Sequence, residues 1–252
     1  MGRRAGHRLI GTVTRRGRGA ALLPGDRQRA LVESLEAELE RARDVDEGAI
    51  ADAIQSIGFE CTRCGACCTA ETAADGSAEP HTATVFPDEV RRLQAVAGAE
   101  WRDVARPMPY GLAAGPDGEA GETFEWALQT DGCGDCAFYD EADGRGACTV
   151  HADRPLICRT YPFSLALGGT SQPMGEAVDR EGLVRAHECE GLGRAIDRES
   201  AEELAAALVE RAIRELEEAI AVRDRYEPAD PDPGEVVVHD SEGAKRPDGT
   251  PR

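Results

Sequence analysis

The chain has 252 residues, 48 acidic and 29 basic, for a net charge of −19. That excess repels phosphate backbones and anionic lipid surfaces, so nucleic acid is excluded as an expected partner. Hydrophobic residues make up 41 %, enough to bury a core, but only 4 % are aromatic, so aliphatic and alanine side chains must fill it.

Residues 1–29 are rich in Gly and Arg without apolar periodicity, and are expected to form a disordered basic arm. Their longest apolar run, "AALL", is too short for an export signal, which needs roughly 7 to 15 residues. No stretch of the chain reaches the roughly 18 to 20 apolar residues that span a bilayer. A cytoplasmic protein with no membrane partner is expected. Lys245 is the sole lysine, and the arginine-rich, acidic composition suggests adaptation to high internal salt.

From Ala30 the spacing of Leu31, Leu35 and Leu39 predicts an amphipathic helix. Asp46 is placed to cap a second helix carrying Ile50, Ile54 and Ile57, with Gly58 ending it. The run "FECTRCGACC" follows directly. "TAADGSAEP" reads as a loop and "FPDEVRRLQAVAG" as a helix opened by Pro87 and closed by Gly98. "GPDGEAG" is a turn and "ETFEWALQ" a partial strand. "CAFYD" and "GACTVH" read as a hairpin around "EADGRG".

"SAEELAAALVERAIRELEEAIAVRDRY" predicts the longest helix, with Ser200 and Glu203 as a capping box and Leu204, Leu208, Ala212 and Leu216 along one face. Residues 227–252 are expected to be a disordered acidic tail, apart from a docking strand at Val236 to Val238. The expected organisation is thus an arm (1–29), a cysteine-cluster metal-binding domain with flanking helices (30–226) and the tail. Its fold class is read as mostly α with short β-hairpin pieces, a small irregular metal-stabilised α+β domain framed by helices.

The chemistry lies in nine cysteines: Cys61, Cys64, Cys67, Cys68, Cys133, Cys136, Cys148, Cys158 and Cys189. A disulfide framework needs an oxidising compartment, which this sequence does not announce. Burial as small hydrophobes cannot account for four thiols in eight positions. Metal binding explains the spacing, because two intervening residues let neighbouring sulfurs turn toward one point, and Gly65 permits the tight turn. Neighbouring side chains along an extended segment point in opposite directions, so Cys67 and Cys68 are not expected both to bind one ion, and two centres or one bridged cluster would use both. Sulfur tetrahedra suit zinc and iron–sulfur centres alike, so the metal stays open between Zn2+ and iron.

"CTRCGACC", followed by "CAFYD", "GACTVHADRPLICRTYPF" and a late cysteine, resembles the YkgJ family, a zinc- or iron-chelating cysteine-cluster domain of the form C-x2-C-x2-C-C. The resemblance runs from about Phe59 to Cys189 and implies an eight-cysteine metal-binding domain, found alone or fused, for example within flagellin lysine methylase. Carried over by position, it implies Cys61, Cys64, Cys67, Cys68, Cys136, Cys148, Cys158 and Cys189 as metal ligands. His151 stands where an aromatic is expected, and Cys133 lies outside the pattern.

Arg154 and Arg159 flank Cys158, where guanidinium groups offset thiolate charge; pairing with carboxylates such as Asp153 is their bland alternative. His187, two residues before Cys189, is a lesser ligand candidate. The leading expectation is a metal-binding protein in which the ion contributes to folding. The alternative is an iron–sulfur electron-transfer oxidoreductase or a protein-modifying enzyme of the flagellin-methylase type. An exchangeable metal store is a third. The sequence has no glycine-rich strand-to-helix turn for a nucleotide and no C-x3-C-x2-C triplet, so whether the chain is an enzyme stays open, and no protein partner is specified.

Overall fold

The computed structural model describes residues 35–252, except 73–75, 77, 117, 143–144, 173–176 and 180–181. The basic arm and the start of the first helix at Leu31 lie outside the described residues. Helix α1 covers residues 35–43. It is followed by α2 (Glu47–Ile57), α3 (Pro87–Ala97), the single turn α4 (Trp101–Val104), the short α5 (Leu156–Thr160) and the 28-residue α6 (Arg198–Arg225).

The helix ends obey their local chemistry. Asp46 caps α2 by accepting from the amides of Gly48 and Ala49, and Gly58 closes it at φ +78°. Pro87 opens α3, and Gly98 ends it in the left-handed region. The long helix begins earlier than "SAEE" predicts: Asp197 is its cap, accepting from the amide of Ser200, which stands inside the first turn. Asp and Ser are comparable caps, and the Ser-x-x-Glu pattern drew attention to the wrong one.

The expectation of a mostly helical fold is wrong. Helix makes up 36 % and strand 26 %, with six helices and five small sheets among the described residues. Two-residue strands β1 (Glu71–Thr72) and β2 (Ala78–Glu79) form a tiny ladder inside the segment read as a loop. Strands β3 (Thr84–Val85), β4 (Ala105–Pro107) and β7 (Trp126–Leu128) make a three-stranded sheet with β7 in the middle. β5 (Leu112–Gly115) and β6 (Gly118–Phe124) form a hairpin, and β8 (Tyr139–Ala142) pairs with β9 (Arg145–Cys148) as predicted. β10 (Phe163–Leu165), β12 (Val184–His187) and β11 (Ala177–Asp179) form another sheet in that order. These strands are too short to show alternation. β6, "GEAGETF", is largely polar and half-exposed, so its sequence carries little of the apolar period that identifies a strand.

The tail also differs from expectation. β13 (Val236–Asp240) runs parallel to β6, with Val236 opposite Gly121 and His239 opposite Phe124, and β14 (Gly243–Lys245) folds back on it. Val237 and Val238 are fully buried. The docking strand was visible in the apolar run, but its partner lies more than a hundred residues away and no local pattern names it.

Two cores result. In the first, Leu39, Ala42, Ile50 and Ile54 pack with Leu208, Ala212 and Leu216 of α6 and with Phe163 and Val184. In the second, Val90, Leu93, Trp101, Val104, Trp126 and Leu128 pack with Cys136, Phe138 and Val150. Trp101 and Trp126 meet edge-to-face at 5.0 Å, so two of the few aromatics centre the second core. Among the described residues no helix is long and apolar enough to cross a membrane.

Candidate metal centre

The first cysteine block is held at both ends by backbone contacts that only small residues allow. Gly193 donates to the carbonyl of Gly58, and Glu60 donates to that of Gly191, each at 3.0 Å. A side chain at Gly58 would strike the carbonyl of Arg194, and one at Gly191 that of Glu60. This zipper carries Cys61 and Cys189 to the same wall, while Phe59 anchors it edge-on against Phe163 at 5.7 Å.

Beyond Cys61 the chain turns through positive φ at Arg63 and Gly65. Gly65 lies against the Tyr139 ring, where any side chain would collide with the phenol. Ala66–Cys68 then form a 3-10 turn. Its far end is tied to the second block: Cys136 donates to the carbonyl of Cys68 at 2.8 Å, and Ala70 donates to the Asp135 carboxylate at 2.7 Å. Asp131 shapes the preceding turn by accepting from Cys133 and Asp135.

Cys148 ends β9, and Cys158 sits on α5. The amide at the start of that helix, on Leu156, donates to Glu89 at 2.9 Å, while the other Glu89 oxygen accepts from Phe86. Glu89 is 2 % exposed, and burial raises its carboxyl above the usual range. One buried side chain therefore fixes the start of α3 and the helix bearing Cys158. From the other side, the buried Arg211 of α6 donates to Thr160, Phe163 and Ser171, with Glu215 neutralising it at 2.9 Å.

The outcome is a cavity of about 720 Å³ lined by Cys61, Cys64, Cys67, Cys68, Cys136, Cys148, Cys158 and Cys189. Cys133 is exposed and does not line it. All nine cysteines are free thiols. Among the described residues no three His, Cys, Asp or Glu side chains already enclose a point as ligands of one ion would. The sulfurs share a cavity without closing on a centre.

The expectation for the adjacent pair is overturned. Because the segment is a 3-10 turn and not extended, the sulfurs of Cys67 and Cys68 lie 3.8 Å apart. A tetrahedral ion with Zn–S bonds of about 2.3 Å has sulfur–sulfur edges of about 3.8 Å, so the pair already has that spacing.

Cys67, Cys136, Cys148, Cys158 and Cys189 resist ionisation without a cation. Burial pushes Cys136 up to about 11 and Cys158 well above its ordinary value, with neighbouring thiols adding to both. Burial, then Cys64, Cys67 and Cys61, raises Cys189. Cys67 is raised most directly by Cys68, then by burial. Arg154 opposes these shifts at Cys67, Cys148 and Cys158. Such a set of crowded sulfurs gains charge compensation when a cation binds, and a soft all-sulfur donor set suits zinc or iron.

Arg154 and Arg159 both line the cavity, and among the described residues neither is in an ion pair. Arg154 instead donates to the carbonyl of His151 at 3.2 Å. His151 faces the cavity too, and Arg154 lowers its pKa. His187 does not line it: the ring is buried on β12, 3.0 Å from the Ser164 hydroxyl, and not exposed as a histidine near a loop would be by default.

Sequence reasoning missed Tyr139, which clamps Gly65, and Tyr161, which lines the cavity and donates to the carbonyl of Glu188. It also missed Glu89. "CAFYD" and "RTYPF" displayed both tyrosines, but nothing local shows which side of a hairpin meets a distant glycine.

A cavity walled by cysteines from several separated segments defines the chain as a cysteine-cluster protein. It belongs to the CxxCxxCC family, described as "Putative zinc- or iron-chelating domain", which it matches over residues 60–190. No curated protein and no solved structure gives a match.

Proposed function

We propose that the chain binds zinc or iron through Cys61, Cys64, Cys67, Cys68, Cys136, Cys148, Cys158 and Cys189, the eight positions that the YkgJ resemblance implies, and that the ion helps to fold the domain between residues 30 and 226. The observation that supports this most is selective placement: the eight cysteines of the pattern line one cavity and the ninth, Cys133, stands apart. Free thiols suit the reducing cytoplasm.

In this reading the protein supplies an all-sulfur donor set, with Arg154 and Arg159 offsetting its charge. Tyr139 and Glu89 hold the ligand-bearing segments in place. A bound metal would contribute a Lewis acid or, as an iron–sulfur centre, an electron carrier.

Elemental analysis of protein purified without oxygen tests the proposal. Stoichiometric zinc in a colourless protein favours a structural or adaptor role. Iron with acid-labile sulfide in a brown protein favours electron transfer. A fully reduced, folded chain that takes up neither metal would refute it.

A further inference from the structure

Four contacts fix the backbone that carries Cys67 and Cys68. Gly146 of β9 donates to the carbonyl of Arg63 at 3.0 Å, and Gly65 abuts the Tyr139 ring, where any side chain would collide. Cys68 donates to the carbonyl of Gly65 at 2.7 Å across the 3-10 turn, and its own carbonyl accepts from Cys136. A 3-10 turn has about three residues per turn, so neighbouring side chains diverge by about 120° and not by a half-turn as in a strand. The two sulfurs accordingly stand 3.8 Å apart.

That spacing selects what the pair can hold. Two sulfur ligands of one tetrahedral ion stand about 3.8 Å apart. One thiolate on each of two irons of a four-iron cluster would stand farther apart, because those bonds point away from the centre of the cluster. Sulfur donors favour a soft ion of the zinc type over magnesium or calcium. Access differs between the blocks as well: Cys61, Cys64 and Cys67 are exposed and Cys68 is half-buried, whereas Cys136 of the second block is buried.

On the reading above that this cavity binds metal, we infer that Cys67 and Cys68 hold the same divalent ion, and that this ion exchanges with ligands from solvent while the chain stays folded. The two thiols give up their protons to solvent as the ion binds, and no electron moves. Others of the eight cysteines complete its shell. Because the fold already sets the sulfur separation, little freedom is lost on binding, and the pair acts as a preformed clamp. An incoming thiolate or chelator approaches from the exposed side and replaces the protein's sulfurs one at a time. Such a site suits handing the metal to another carrier, which a closed structural site does not.

The test uses the full reduced chain. Loaded with cadmium-113, its proton–cadmium correlation spectrum should connect the β-protons of Cys67 and those of Cys68 to one and the same cadmium resonance. Native mass spectrometry of the variant carrying both Cys67→Ser and Cys68→Ser should show one ion fewer than the wild-type chain, with amide protection in α2 and α6 confirming that it is folded. Zinc-loaded wild-type chain in excess pyridylazoresorcinol should release an ion far faster than those helix amides exchange. Connection of the two cysteines to different cadmium ions, or of only one of them to any, overturns the clamp while leaving metal binding intact, as does a double variant that loses two ions or none. Release no faster than helix amide exchange overturns the exchangeable site. No uptake by the wild-type chain overturns the metal-binding reading itself.

Discussion

The amide of Cys136 donates to the carbonyl of Cys68 at 2.8 Å, so the last thiol of the first block and the first cavity-lining thiol of the second are fastened by backbone. Backbone hydrogen bonds and small residues thus hold the two blocks together. In the proposed function the ion would add closure of the sulfurs. Stripping the metal with a chelator should raise amide exchange across residues 61–68 while the α2–α6 interface keeps its protection. Hydrogen exchange on both forms checks this; equal protection of the loop in the two would show that metal does not order it.

Gly65 and Gly98 separate two costs of adding a side chain. Both have positive φ, at 82° and 64°, but a side chain at Gly98 enters open space and one at Gly65 meets Tyr139. Gly98→Ala should destabilise by about 1 kcal/mol from backbone strain alone. Gly65→Ala should cost about 2–3 kcal/mol, adding the clash to the strain, and should also weaken metal binding. Denaturant titration and metal competition on the two variants measure the difference. Equal effects would mean the Tyr139 contact is soft.

Glu125 gives a pH signature. At φ 102° it stands at the break between β6 and β7, faces the cavity, and has its carboxyl pushed up to about 7 by burial and then by Glu215 and Glu218. A carboxyl raised when folded binds its proton more tightly than the unfolded chain does. Its contribution to stability thus falls as pH rises from about 4.5 to about 7 and is flat above. Glu125→Gln should gain about 1 kcal/mol at pH 8, a figure kept small because the side chain is solvent-accessible, and little at pH 4.5. Unfolding curves at the two pH values decide; an equal change at both would assign the effect to packing.

The parts of this structure that were legible in the sequence are those with local causes. Asp46, Gly58, Pro87 and Gly98 mark helix ends through the chemistry of a single turn, and α6 shows its apolar face over many turns. The spacing of Cys61, Cys64 and Cys67 announced a cluster for the same reason. The direction of Cys68 was lost because it depends on a 3-10 turn of three residues, and adjacent side chains point apart only in extended chain. Glu89 was hidden differently: it sits among charged residues in "PDEVRR", and only the approach of Leu156 from far along the chain explains why it is buried.

Lys245 carries the last prediction. The sole lysine of the chain is 5 % exposed, its ammonium 2.8 Å from Asp240, 2.6 Å from Glu242 and over the Trp101 ring. Asp240 in turn accepts from the Trp126 indole at 2.8 Å, so the ammonium neutralises a carboxylate wedged into the second core. Replacing it by Met leaves that carboxylate buried without its cation, at a cost of about 3 kcal/mol. The double variant Lys245→Met, Asp240→Asn removes both charges and should recover much of the loss. Native protein should also resist lysine acylation until β14 opens. If the single and double variants unfold alike, the ammonium contributes through packing on Trp101 and not through the charge of Asp240.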